Sequence, residues 1–167
     1  MLKTALKFRI DRAIKATVAD VAVVSTARFP DGFGYTELVE AAVASQGGNG
    51  IYNVALELQG NMIISTSCSC PDFGNKDLDW AEDRHPSALP YYADLLGRHR
   101  VCKHVLLALR KVAPEIFQLV VVQEALIQRW ARNRSNPSGR RGLISECPWD
   151  IHDAREWARN VIAAKSL

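Results

Sequence analysis

The positions Leu2, Leu6, Phe8, Ile10, Ala13, Ile14 and Thr17 recur at helical spacing and predict one amphipathic helix over about residues 2–19. The period then changes from helical to alternating. Val21–Arg28 is a β-branched run, and the Pro, Asp and Gly of residues 29–34 give that stretch the composition of a turn. Glu37, Val39, Ala41 and Val43 alternate with Leu38, Glu40, Ala42 and Ala44, which predicts a second strand, and residues 45–50 form a Gly-rich loop. Ile51–Leu58 and Met62–Ser67 flank Gln59-Gly60-Asn61 and read as a hairpin. The expected result is an antiparallel meander of four strands that ends at Cys68, with Val54, Leu56 and Ile64 facing a core shared with Leu106 and Leu109.

Pro71 lacks a ladder N–H and stops the last strand. Residues 72–100 are acidic at first, carry Pro86 and Pro90, and predict a short helix near 88–97. A firm helix is expected from 101 to 112, with Pro114 restarting the chain as a first-turn proline. Ile116, Leu119, Val120, Gln123, Leu126, Ile127 and Trp130 then recur every three or four residues. The run from Phe117 to Val122 is broader than one amphipathic stripe, which requires burial on two sides, by the chain's own fold or by a partner. A polar basic linker over 132–142 leads to a last amphipathic helix over 150–164. The fold class is α+β: a β-meander with a ββα-type finger over residues 1–112, and a helical extension over 113–167.

With 167 residues, 48% hydrophobic and 23% charged, the composition is ordinary for a globular domain with a sizeable core. The apolar stretches are too short for a membrane helix. Charges at Lys3, Lys7, Arg9, Asp11 and Arg12 break up the start, so it lacks the apolar core of a secretory signal, although a basic amphipathic start also suits a mitochondrial-type presequence. The expected location is intracellular: cytoplasmic, or nuclear in a eukaryote. The net charge of +3 conceals an uneven distribution. Residues 16–94 sum to −8, and residues 95–142 carry ten Lys or Arg against Glu115 and Glu124, net +8.

Four cysteines without a secretory signal argue against a disulfide framework, and their spacing points to a metal. Cys68 and Cys70 form Cys-x-Cys at a strand end, where residues two apart face the same way and can bind one ion. Cys102 and His104 form Cys-x-His in the first turn of a helix, whose dipole favours thiolate. Thiolates with an imidazole suit tetrahedral Zn²⁺, and four protein ligands leave no open position, so the expected ion is a single structural one. His99 and His85 are alternative ligands that read better as solvated loop residues, and Cys147 with His152 is a weak pair beside Trp149.

Cys68-Ser69-Cys70-Pro71-Asp72-Phe73, followed by Cys102-Lys103-His104 and the apolar Val105-Leu106-Leu107-Ala108, resembles the SWIM zinc-finger family. The resemblance extends over about residues 10–112, although the insert of 31 residues between Cys70 and Cys102 is longer than is usual there. It implies zinc held by Cys68, Cys70, Cys102 and His104. It also implies contacts to DNA or to proteins, since SWIM-like fingers occur in transposases, chromatin-remodelling ATPases and recombination accessory proteins.

The acids Asp77, Asp79, Glu82 and Asp83 have no accompanying base, nucleophile or phosphate loop, and with no other catalytic motif the chain reads as a non-enzyme. Two functions stand. The first is a nucleic-acid accessory protein, DNA favoured, that contacts phosphates without reading sequence. Arg98, Arg100, Lys103, Arg110, Lys111, Arg129, Arg132, Arg134, Arg140 and Arg141 are its candidate contacts. The second is an adaptor subunit of a larger assembly, with the finger as a strut and the appended helices docking to protein partners. Neither involves a membrane.

Overall fold

The computed structural model describes residues 5–32, 34–48, 50–74, 101–134 and 151–166. Helix α1 (Ala5–Lys15) leads through a 3-10 turn (Val18–Asp20) into strands β1 (Val21–Asp31), β2 (Gly34–Ala44), β3 (Ile51–Gln59) and β4 (Met62–Cys68). Helices α2 (Lys103–Val112), α3 (Pro114–Arg134) and α4 (Ile151–Lys165) follow. The strands form one antiparallel sheet in the order β1-β2-β3-β4, as the alternation predicts. The helix expected near 88–97 lies outside the described residues, as do most of the basic linker and the acids of the insert.

The N-terminal helix is shorter than its apolar spacing suggests. It ends at Lys15, and the Thr17 side chain accepts a hydrogen bond from the Ala19 N–H to start the 3-10 turn. The first hairpin is tighter than expected, because β1 continues through Phe29, Pro30 and Asp31, leaving only residues 32 and 33 between Asp31 and its partner Gly34. Pro30 is tolerated because β1 is an edge strand. The Asp31 carboxylate accepts from Thr36 Oγ1 and from Gln59 Nε2 at 2.7 Å, tying the ends of the two hairpins together. The β3–β4 connection is two residues, and Gly60 takes φ +57°, the left-handed region such a turn requires.

One face of the sheet builds the core. Val39, Ala41 and Val43 of β2 and Val54, Leu56 and Leu58 of β3 are buried in strict alternation, with Val39 opposite Leu56 and Ala41 opposite Val54. In β4 the expectation for Ile64 is corrected. Glu57 pairs with Ser65 but Leu58 pairs with Ile63, so Ile64 is the extra residue of a bulge. Ile63, at 4% exposure, is the core residue instead.

Against this face lies α2, buried at every position from His104 to Leu109. A helix apolar all round needs cover all round. The sheet supplies one side, and α1 and α3 supply the others. In α3, Ile116, Phe117, Leu119, Val120, Val121 and Val122 are all buried between α2 and α4, so the two-sided cover for this segment comes from the chain itself. One contiguous core therefore runs from Ile10 of α1 to Ala158 of α4. No described helix is long and apolar enough to cross a membrane.

Candidate metal centre

The centre is assembled where the last strand meets the first helix after the sheet. Cys68 closes β4 opposite Val54 of β3. Beyond it the pairing continues through a reciprocal contact: the Ser69 N–H donates to the Asn53 carbonyl at 3.0 Å, and the Asn53 N–H donates to Ser69 Oγ at 2.9 Å. Ser69 stays exposed through this contact while Cys70, at 5% exposure, turns inward. A 3-10 turn (Pro71–Gly74) follows, with the Phe73 N–H donating to the Cys70 carbonyl at 3.1 Å. From the other side, Cys102 is the N-cap of α2 in extended conformation, and its carbonyl accepts from Leu106 N–H. His104 sits in the first turn, and its ring lies 4.5 Å from that of Tyr52 in β3.

The ligand atoms of Cys68, Cys70, Cys102 and His104 all lie within 4.8 Å of one another. A tetrahedral ion with bonds of ~2.0–2.3 Å sets its ligands roughly 3.5–3.8 Å apart, so closing the set takes side-chain movements of about an ångström or less. Cys102 Sγ and His104 Nδ1 are already 3.9 Å apart. Three of the four residues are buried, Cys68 is half-buried, and none of the three cysteines is in a disulfide.

The electrostatics of the cluster favour a cation among its donors. His104 Nε2 is buried with no hydrogen-bond partner, a costly arrangement for an imidazole nitrogen. The Cys102 thiol is pushed up to about 12, first by its hydrogen bond with Cys68 and then by burial. Burial, followed by the charge of Cys102, also raises the Cys70 thiol. A cation reverses this logic by stabilising thiolate over thiol. The donors fit one metal ion.

A pH dependence follows. Because Cys70 and Cys102 titrate above their ordinary range, both carry protons near neutrality and must release them when a metal binds. Affinity therefore rises with pH. Binding as three thiolates displaces up to three protons, which corresponds to as much as a ~1000-fold gain per pH unit below the ordinary thiol range, by mass action. Competition titrations with a chromogenic chelator between pH 6 and 8 measure the slope.

The basic residues separate into groups. Lys103 is half-buried on α2 and Lys111 is exposed at its end. Arg110 does not project as a free cation. Its Nη1 donates to the carbonyls of Ala13, Ile14 and Ala16 at 3.1, 2.7 and 2.9 Å, and its Nη2 donates to Ser166 Oγ. It closes the C-terminal end of α1, where carbonyls lack helical partners. Burial lowers its pKa accordingly. Because α3 extends to Arg134, Arg132 and Arg134 belong to a helix rather than to a linker, and Arg129 lies one turn earlier. The side chains of these three, and Arg98, Arg100, Arg140 and Arg141 entirely, lie outside the described residues, together with His85, His99 and Cys147.

Spacing alone picked out the four clustered residues but not their neighbours: Tyr52, the Asn53–Ser69 contact, and Arg9, whose Nη1 donates to the Val101 carbonyl at 2.8 Å. The chain matches no protein-family model, no curated protein and no solved structure.

Proposed function

We propose that Cys68, Cys70, Cys102 and His104 hold one Zn²⁺ as a closed structural centre in a SWIM-like finger, and that the folded chain is a nucleic-acid-associated accessory subunit of a larger assembly. The observation that carries the metal is the convergence of three thiols and a buried imidazole, with their donor atoms within 4.8 Å of one another. Soft thiolates and an imidazole favour Zn²⁺ over hard cations. When bound, the ion cross-links β4 to the start of α2. The protein supplies the rest by positioning the ligands, through Ser69 on Asn53, Tyr52 against the His104 ring, and Cys102 at the helix start. Four protein ligands leave no place for substrate, which favours a non-catalytic role. One zinc per chain by elemental analysis is the expected result, and none in freshly purified protein overturns the assignment.

The nucleic-acid reading rests on the net +8 of residues 95–142. With Arg110 held inside the fold, the remaining candidate contacts are Arg98, Arg100, Lys103, Lys111, Arg129, Arg132, Arg134, Arg140 and Arg141. Arginine forks hold phosphate oxygens bidentately, and counterion release drives binding without base readout. If five of them touch duplex DNA, log K falls with log salt at a slope of roughly −4.5. Replacing Arg132, Arg134, Arg140 and Arg141 together should flatten that slope and leave the zinc content unchanged. The measurement is a salt titration against a labelled duplex and a single strand, with unrelated sequences as competitors. Failure to bind either at low salt transfers the role to protein partners alone.

A further inference from the structure

The charge of the proposed centre is not closed by its own ligands. Three thiolates and a neutral imidazole around a divalent ion sum to −1, in a site where Cys70, Cys102 and His104 are at most 5% exposed. A net charge at such depth requires a counter-charge nearby.

The groups around the ligands differ in what they can offer. Tyr52 presents a ring to His104 and no charge. Asp72 has the wrong sign and is exposed, so solvent screens it. Lys103 lies between two ligands in sequence, but adjacent helical positions point about 100° apart. Arg9 comes from α1, 92 residues away along the chain, and is half-buried. Its Nη1 donates to the carbonyl of Val101, the residue bonded to Cys102, at 2.8 Å. Burial disfavours its charge, while the negative charges of Cys102, Asp72 and Cys70 favour it. A guanidinium keeps its full charge while it donates to a carbonyl, so this contact holds a cation next to the peptide that precedes Cys102.

We propose that Arg9 is a positioning and charge-balancing residue of the metal centre: it fixes the peptide that presents Cys102 and offsets the negative charge of the metal-loaded site. The proposal rests on the zinc reading above. It explains why α1 places a cation beside a thiol cluster at a desolvation cost to that cation, whose pKa burial lowers. The second arginine linking these two helices, Arg110, makes the complementary contact at the opposite end of α1 and does not approach the ligands.

The test uses the full chain and four proteins: unsubstituted, Arg9→Gln, Arg9→Lys, and Arg12→Gln, which removes an exposed cation from the same helix. Zn²⁺ affinity is measured against a chromogenic chelator, and the thiolate-to-metal charge-transfer band is recorded with Co²⁺. Arg9→Gln is expected to weaken Zn²⁺ binding 10- to 100-fold, the range for residues that support metal ligands. It should also move the charge-transfer band to lower energy, because thiolates without a neighbouring cation give up electron density more easily. Arg9→Lys should recover at least half of the loss on a logarithmic scale and restore the band, and Arg12→Gln should match the unsubstituted chain. Arg9→Gln within twofold of the unsubstituted affinity overturns the proposal. So does a loss that Lys does not rescue with an unshifted band, which is the pattern of a purely structural residue. If the unsubstituted chain takes up neither ion, the zinc reading itself fails and Arg9 with it.

Discussion

Cys102→Ser is expected to abolish stoichiometric metal binding and unfold the hairpin–helix unit at 25 °C. Apparent zinc binding in finger peptides is worth ~10–16 kcal/mol near neutral pH. Whole-domain stability is only ~5–15 kcal/mol. Cys102 is 0% exposed at the start of α2, and α2 is the helix on which the sheet, α1 and α3 all pack. Serine is a poor ligand for a soft site and puts a hydroxyl where a thiolate is needed. Removal of the metal from the unsubstituted chain by a chelator should give the same state, with helical and strand signals in circular dichroism lost together. A chelated chain that keeps its thermal transition within a few degrees of the untreated one would show that the core holds without the ion.

Phe117→Ala is expected to cost about 3–5 kcal/mol, the range for deleting a fully buried aromatic. Phe117 is 1% exposed and belongs to the same core as Leu56 and Leu106, although it lies beyond the segment that resembles a finger. The loss should appear in one cooperative transition, with metal release and helix loss at the same denaturant concentration. Two separate transitions, with only the later helices destabilised, would show that α3 and α4 fold as an independent unit.

The sequence was most informative where one simple period governs the structure. Val39, Ala41, Val43, Val54 and Leu56 are buried as alternation requires, because a half-covered sheet leaves no other solution. The cluster of Cys68, Cys70, Cys102 and His104 was legible because metal geometry demands close pairs of a few residue types. Ile64 was misplaced because a bulge adds one residue without marking it in the pattern. Arg110 looked like surface charge, since nothing local shows that a cation three-quarters of the way along α2 will meet the end of α1. Arg9 and Val101 are separated by 92 residues, and nothing near Ser69 in sequence marks its contact with Asn53, 16 residues earlier. Such contacts arise from tertiary approach, and a single sequence holds no local signal for them.

Among the described residues, the side-chain hydrogen bonds and ion pairs that tie α1 to other elements reach late parts of the chain. Arg9 is joined to Val101, Ile14 to Arg110, and Asp11 to Lys165, a separation of 154 residues. At elongation rates of ~5–20 residues per second, α1 leaves the ribosome roughly 8–30 s before its last partner is made. Until α2 has followed, its buried face, Ile10, Ala13 and Ile14, lacks its main native cover. Completion of the fold therefore waits for α4. It joins sequence-distant segments, which slows it relative to a bundle of local helices. The nascent α1, a basic helix with an open apolar stripe, is the segment most exposed to chaperone capture during synthesis.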